Sequence, residues 1–160
     1  MLDTPPDSNY VIATPVTVEC VQQVAKTYRI PIAALAAIMA QESGQVGKAS
    51  RNKNGTYDYG PMQINTVWLK QLKLHGITEK DLLWNGCLNV YAAGAIFHRQ
   101  YVDANKNIWK AVGRYHSKTP KYRDRYIRNV VKKMRSMTSL HRIVARANRY
   151  LIKLAGKASR

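Results

Sequence analysis

Apolar residues recur at three- and four-residue spacing along most of this chain, the period of an amphipathic helix rather than a strand. Thr14 and Pro15 offer a capping hydroxyl and then proline at a first helical position, and Val18, Val21, Val24, Ala25 and Tyr28 continue the stripe. Pro31 predicts a second helix, whose buried face is Ile32, Leu35, Ile38 and Met39 and which Gly44 should stop. Between Gly44 and Gly60 the pattern dissolves into Gly, Asn, Lys and Tyr, and Asn54-Gly55 predicts a tight turn in a short hairpin. Helical spacing returns over Met62–Leu74, Thr78–Leu83, Asn85–Asp103 and Ile108–Tyr115, and beyond Pro120 the chain is helical and basic to its end. No segment alternates long enough for a large sheet. The expected fold is mostly α, with at most a minimal β hairpin.

Composition changes that picture through charge. The 160 residues suit one domain, and 46% hydrophobic content is enough for a core. Lys and Arg outnumber Asp and Glu by 26 to 9, but unevenly: residues 118–160 hold 14 basic residues and a single acid, Asp124. A balanced body therefore carries a cationic end suited to an anionic polymer or surface. The expected organisation is a flexible arm at 1–13, a body at 14–134 and a basic amphipathic helix at 135–160. In that helix Leu140, Ile143, Val144, Ala147, Leu151 and Leu154 share helical spacing, with Arg142, Arg146, Arg149, Lys153 and Lys157 on the other faces. A solvated helix packed on the body and a membrane- or partner-binding helix both fit this pattern. No apolar run approaches the ~20 residues needed to span a bilayer. Met1–Tyr10 shows no basic segment followed by an apolar one.

Glu42 is the candidate acid. It lies three and four positions after Met39 and Ile38, on the face of Leu35, where its helix is expected to end. That spacing carries a carboxylate toward the rim of a core. Partial desolvation there disfavours the ionised form, as a general acid near neutral pH requires. A last-turn glutamate pointing at solvent has the same spacing.

The neighbouring segments come in a telling order: Glu42-Ser43, then Gly60-Pro61-Met62-Gln63-Ile64, then Asn89 with Gly94, then Ala111-Val112-Gly113-Arg114-Tyr115-His116. Together they resemble the lytic transglycosylases, whose catalytic domain is related to goose-type lysozyme. The match runs from about Val16 to about Met134. Asn52 to Asp58 looks most like the small members that accompany type IV secretion and conjugation machines. The resemblance implies a lysozyme-like fold. It also implies non-hydrolytic cleavage of the bond between N-acetylmuramic acid and N-acetylglucosamine, leaving a 1,6-anhydro product. Glu42 would be the catalytic residue, with Ser43, Met62, Gln63, Asn89, Tyr115 and His116 binding substrate and the Tyr115 hydroxyl touching the acid. Two residues depart from the family pattern: Pro61 replaces a leucine, and His116 replaces the asparagine that helps shape the groove. An exported, periplasmic protein read without its leader is expected, acting on peptidoglycan glycan strands. Secretion-machine proteins or an anionic surface would be further partners, reached through the basic tail.

One carboxylate suffices for such an enzyme because the nucleophile, the substrate's own C6 hydroxyl, is tethered to the reacting sugar. Asp58 tests that account. As a turn residue it would bond loop backbone, and as a second catalytic carboxylate it would activate water in a lysozyme. The small secretion-associated members also resemble this chain in having one cysteine at the places of Cys20 and Cys87, which implies a disulfide; two separate buried thiols are the alternative. The four histidines form no His-x-x-x-His pair, so neither a metal nor another cofactor is expected. Lys121, Arg123, Arg125 and Arg128, interleaved with Tyr122 and Tyr126, would suit nucleic acid. That reading leaves Glu42-Ser43 unexplained, and nucleic acid is not the expected partner. A non-catalytic wall-binding scaffold is the remaining alternative.

Overall fold

In a computed structural model describing residues 12–136 and 139–160, the segment preceding helix α1 (Val18–Tyr28) is part of the framework. Thr14 donates to Trp84 O at 2.8 Å and accepts from Gly86 N at 2.7 Å, a parallel bridge that keeps Thr14 and Pro15 out of any helix. The cap is therefore Thr17, three residues later than expected: its hydroxyl accepts from Cys20 N at 3.1 Å. The expected arm at 1–13 lies almost wholly outside the described residues. A disulfide joins Cys20 to Cys87, tying the first turn of α1 to that of α5 (Gly86–Asp103). For its sequence separation of 67, chain entropy puts its contribution at about 4 kcal/mol.

Helix α2 (Ile32–Glu42) is the centre of the molecule. Six consecutive residues, Ala34 to Met39, are buried, so it is covered on every side. Its alanines let neighbouring backbones come close. Around it pack α1, α7 (Pro120–Ser136) and α8 (Leu140–Ala147), while α5 lies behind α1 and against α6 (Ile108–His116). Ser43, at φ 53°, ends α2 in the left-handed conformation in place of the expected Gly44. Gly44 serves a different need: any Cβ there would overlap the Gly60 carbonyl, so the loop can close on the helix end only without one.

That loop forms a three-stranded antiparallel sheet, one strand more than the expected hairpin: β1 (Ala49–Arg51), β2 (Tyr57–Tyr59) and β3 (Ile64–Asn65). Asn54-Gly55 makes the predicted turn, with Gly55 at φ 84° and Asn54 Oδ1 accepting from Thr56 N. The expected helix over Met62–Leu74 is broken. Gln63 has φ 50°, Ile64 pairs with Tyr59, and the Asn65 side chain caps a single 3-10 turn at Thr66–Trp68. Helix remains only at α3 (Leu69–Lys73), followed by α4 (Glu79–Trp84). A polar residue that can bond its own backbone outcompeted the helical spacing around it.

The basic end is two helices rather than one. Ile143, Val144 and Ala147 of α8 are buried in the core, Ala147 O accepts from Val46 N, and the Asn148 amide makes two 2.8 Å bonds with the Val16 backbone. The apolar face of α8 thus closes the core over α1 and α2. Helix α9 (Arg149–Ala158) has no buried residue. Among the described residues no helix is long and apolar enough to cross a membrane.

Candidate active site

Glu42 ends α2 at the base of a cleft of about 610 Å³. One wall comes from the sheet through Asn52, Asp58 and Gln63, and the other from α6 through Tyr115 and His116. Burial raises the Glu42 carboxyl from its ordinary 4.5 to about 7; a hydrogen bond from Tyr126 opposes the shift and the nearby Asp58 charge adds to it. At neutral pH a substantial fraction of Glu42 is therefore a neutral acid.

The phenol holding that carboxyl belongs to Tyr126, on the buried face of α7, whose hydroxyl donates to Glu42 Oε1. The expected contact was Tyr115. Its hydroxyl donates instead to Met62 O at 2.8 Å, securing the loop after β2 to α6. The His116 ring lies flat on the Tyr126 ring, with centroids 4.9 Å apart and planes 2° from parallel. Burial first and Arg125 second lower the His116 pKa against a smaller upward pull from Asp58. The imidazole is thus neutral at physiological pH and adds no positive charge of its own beside Glu42.

Several expected substrate contacts occupy other positions. Asn89 is fully buried: its oxygen accepts from Met62 N, and its amide nitrogen donates to Tyr59 O and Leu82 O. With three backbone partners and no exposure it locks the loop and cannot reach a sugar. The Met62 side chain is equally buried, packing beneath the site. Ser43 donates to Ala40 O at 2.8 Å and lines a separate depression with Ile143 and Arg146, away from the cleft. Gln63 lines the cleft, but its amide is committed to Gly60 O at 3.0 Å. Of the expected set, Glu42, Gln63, Tyr115 and His116 share the cleft; Ser43, Met62 and Asn89 do not.

Asp58 also lines the cleft, gripped from both sides. Asn52 donates to Oδ2 at 3.0 Å and Asn65 to Oδ1 at 2.8 Å. Its partners are these side-chain amides rather than the loop backbone expected of a turn aspartate. Among the described residues no cluster of His, Cys, Asp or Glu has the makings of a metal site.

The family model for the transglycosylase SLT domain matches residues 19–136. The chain belongs to the transglycosylase SLT family. It is a lytic transglycosylase, and its lysozyme-like architecture is that of the family. Invasion protein IagB of Salmonella typhimurium strain SL1344 is 34% identical over 127 residues, covering 76% of this chain and 79% of that protein. Protein IpgF of Shigella flexneri is 34% identical over 102 residues, 63% of this chain and 66% of its own length. A peptidoglycan-binding-like protein of Escherichia coli O157:H7 is 32% identical over 106 residues, covering 61% and 63% of the two chains.

The SLT match spans α1 through α7 and so includes Glu42, Asp58, His116 and Tyr126. Sequence reasoning missed Tyr126 by grouping it with the basic residues around it. The signal was present: Tyr126 and Val130 lie four apart on the apolar side of α7, opposite the cations. A second omission was the far cleft wall, where Arg99 bonds Gln71 at 2.6 Å and lies over Trp68. Helices α8 and α9 fall outside the SLT match.

Proposed function

We propose that this protein cuts the β-1,4 bond between N-acetylmuramic acid and N-acetylglucosamine in peptidoglycan, without water, leaving a 1,6-anhydro end. The observation carrying this reading is that one carboxyl in the cleft is held as an acid near neutral pH while its neighbour Asp58 is engaged by two amides. Because Tyr126 donates to Oε1, the proton of neutral Glu42 belongs on Oε2 and is available for donation. Glu42 passes it to the bridging oxygen as the bond from that oxygen to C1 breaks. The C6 hydroxyl oxygen then closes on C1 while the carboxylate takes up its proton, so Glu42 returns to its starting state and no water is consumed. Tyr126 keeps its bond through both states and stabilises the intervening carboxylate. A second statement goes with this reading: the cutting takes place outside the cytoplasm, where peptidoglycan lies, and opens the wall locally for a secretion or conjugation apparatus, in keeping with the likeness to a protein named for invasion.

Glu42→Gln keeps the shape and removes the proton, so release of soluble products from sacculi should fall by about two to four orders of magnitude. Binding of glycan by the variant should persist. Asp58→Asn should be far milder. Product masses settle the chemistry, since an anhydro product is lighter than the hydrolytic one by one water. Reducing-end products, together with a severe Asp58→Asn defect, would make the enzyme a lysozyme. A fully active Glu42→Gln variant would end both readings.

A further inference from the structure

Glu42 opens onto two spaces. Besides the sheet-walled cleft, it borders a pocket of about 390 Å³ on the α7 side, shared with Gln41, His116, Tyr122, Arg125 and Asn129. The Arg125 guanidinium lies 5.8 Å over the Tyr122 ring, which restrains a side chain that would otherwise be mobile. Arg125 makes no ion pair among the described residues; the two pairs present there are Lys73 with Glu79 and Arg123 with Asp124. Arg125 is also one member of a row: Lys121, Arg125, Arg128, Lys132 and Arg135 alternate four- and three-residue steps and are all exposed. The opposite face holds the buried Tyr126 and Val130. Helix α7 thus turns a row of five cations outward, edged by Asp124 beside Arg128, and that face meets the reaction site at Arg125. The lytic chemistry does not call for a cation there: the carboxylate that Glu42 becomes is already held by Tyr126, and the charge that develops on the sugar is positive.

We propose that this pocket is a subsite for the acidic peptide stem borne by the muramic acid residue, with Arg125 receiving a stem carboxylate and Asn129 donating beside it. The proposal rests on peptidoglycan being the substrate. The geometry favours a stem over a free polyanion because the pocket and the cleft share Glu42. An anion seated at Arg125 is therefore one attached to a strand whose scissile oxygen is already at the acid. A guanidinium also suits a carboxylate better than a lysine would, through two parallel donors. The rest of the row extends the same attraction to stems further along the strand.

The test compares sacculi with glycan strands stripped of their peptides by an amidase. Binding is measured in the Glu42→Gln background, and cleavage in the otherwise wild-type enzyme. Arg125→Gln should lower the preference for stem-bearing over stripped glycan by about five- to tenfold, the size of a partly solvated Arg–carboxylate pair. Arg135→Gln removes the same charge at the far end of the row and should change that preference less than twofold. Equal losses in the two variants would reduce the effect to net charge and overturn the subsite. So would an Arg125→Gln loss that is the same on stem-bearing and stripped glycan. Tight, salt-steep binding of duplex DNA that Arg125→Gln abolishes, with the glycan preference intact, would reassign the face to nucleic acid. Absence of soluble products from either glycan with the wild type would defeat the lytic reading, and the binding comparison would still decide the stem subsite.

Discussion

At the residue scale, the hydroxyl of Tyr126 is what distinguishes Glu42 from any buried carboxyl. Burial alone pushes the group toward neutrality, and the phenolic hydrogen bond pulls it back by favouring the ionised form. The pair therefore places the acid near physiological pH rather than well above it. Glu42 must be protonated to donate, so activity should decline as pH rises through about 7. Tyr126→Phe removes the downward pull, and the alkaline limb of the rate profile should move to higher pH. The plateau should drop by about tenfold, because the acid also loses its orienting partner. Rate–pH profiles on sacculi measure both quantities. A limb that stays in place would mean another group controls it.

At the element scale, the decisive feature is the division of the basic end into α8, with three residues buried in the core, and α9, which touches the body through the half-buried Tyr150 and Leu151. Truncation after Asn148 should leave the thermal midpoint within a few degrees of the full chain, since the Val16 anchor and Ile143, Val144 and Ala147 are all retained. Truncation after Ser136 exposes the α2 and α1 surfaces that these side chains cover. Burying three such side chains contributes about 4 kcal/mol or more, a large part of a small domain's stability. That shorter chain should melt early or fail to fold, as followed by circular dichroism. Equal midpoints for the two truncations would show α8 to be dispensable.

At the scale of the whole molecule, the site is maintained against stability. The carboxyl of Glu42 binds its proton more tightly in the folded state, at about 7 instead of 4.5. Below its unfolded value the group is protonated in both states, and the fold has its full stability. As pH rises toward and through about 7, the unfolded chain ionises more readily, and stability declines by up to about 3 kcal/mol. Glu42→Gln cannot ionise, so it should be more stable than the wild type at about pH 8 and nearly equal to it at about pH 4. Urea midpoints at the two pH values check this. A wild type that is no less stable than the variant at the higher pH would show that Glu42 is not held as an acid.

Local sequence alone determined the mostly helical character, the end of α2 close to Glu42 and the turn at Asn54-Gly55, because each depends on residues close together in the chain. Four short segments in order were enough to bring out the family. Interactions between distant residues decided the rest. Thr14 leaves the helix it was expected to begin because Trp84 and Gly86 supply its backbone partners. Asn89 is drawn away from the cleft by the backbone of Met62 and Tyr59, 27 and 30 positions before it. Tyr126 reaches an acid 84 positions away only because α7 packs against the small-residue surface of α2. The local pattern specifies which face of a helix is buried. Only the assembled structure determines what that face meets, because the partner's identity depends on the closure of long loops and on which elements the core brings into contact.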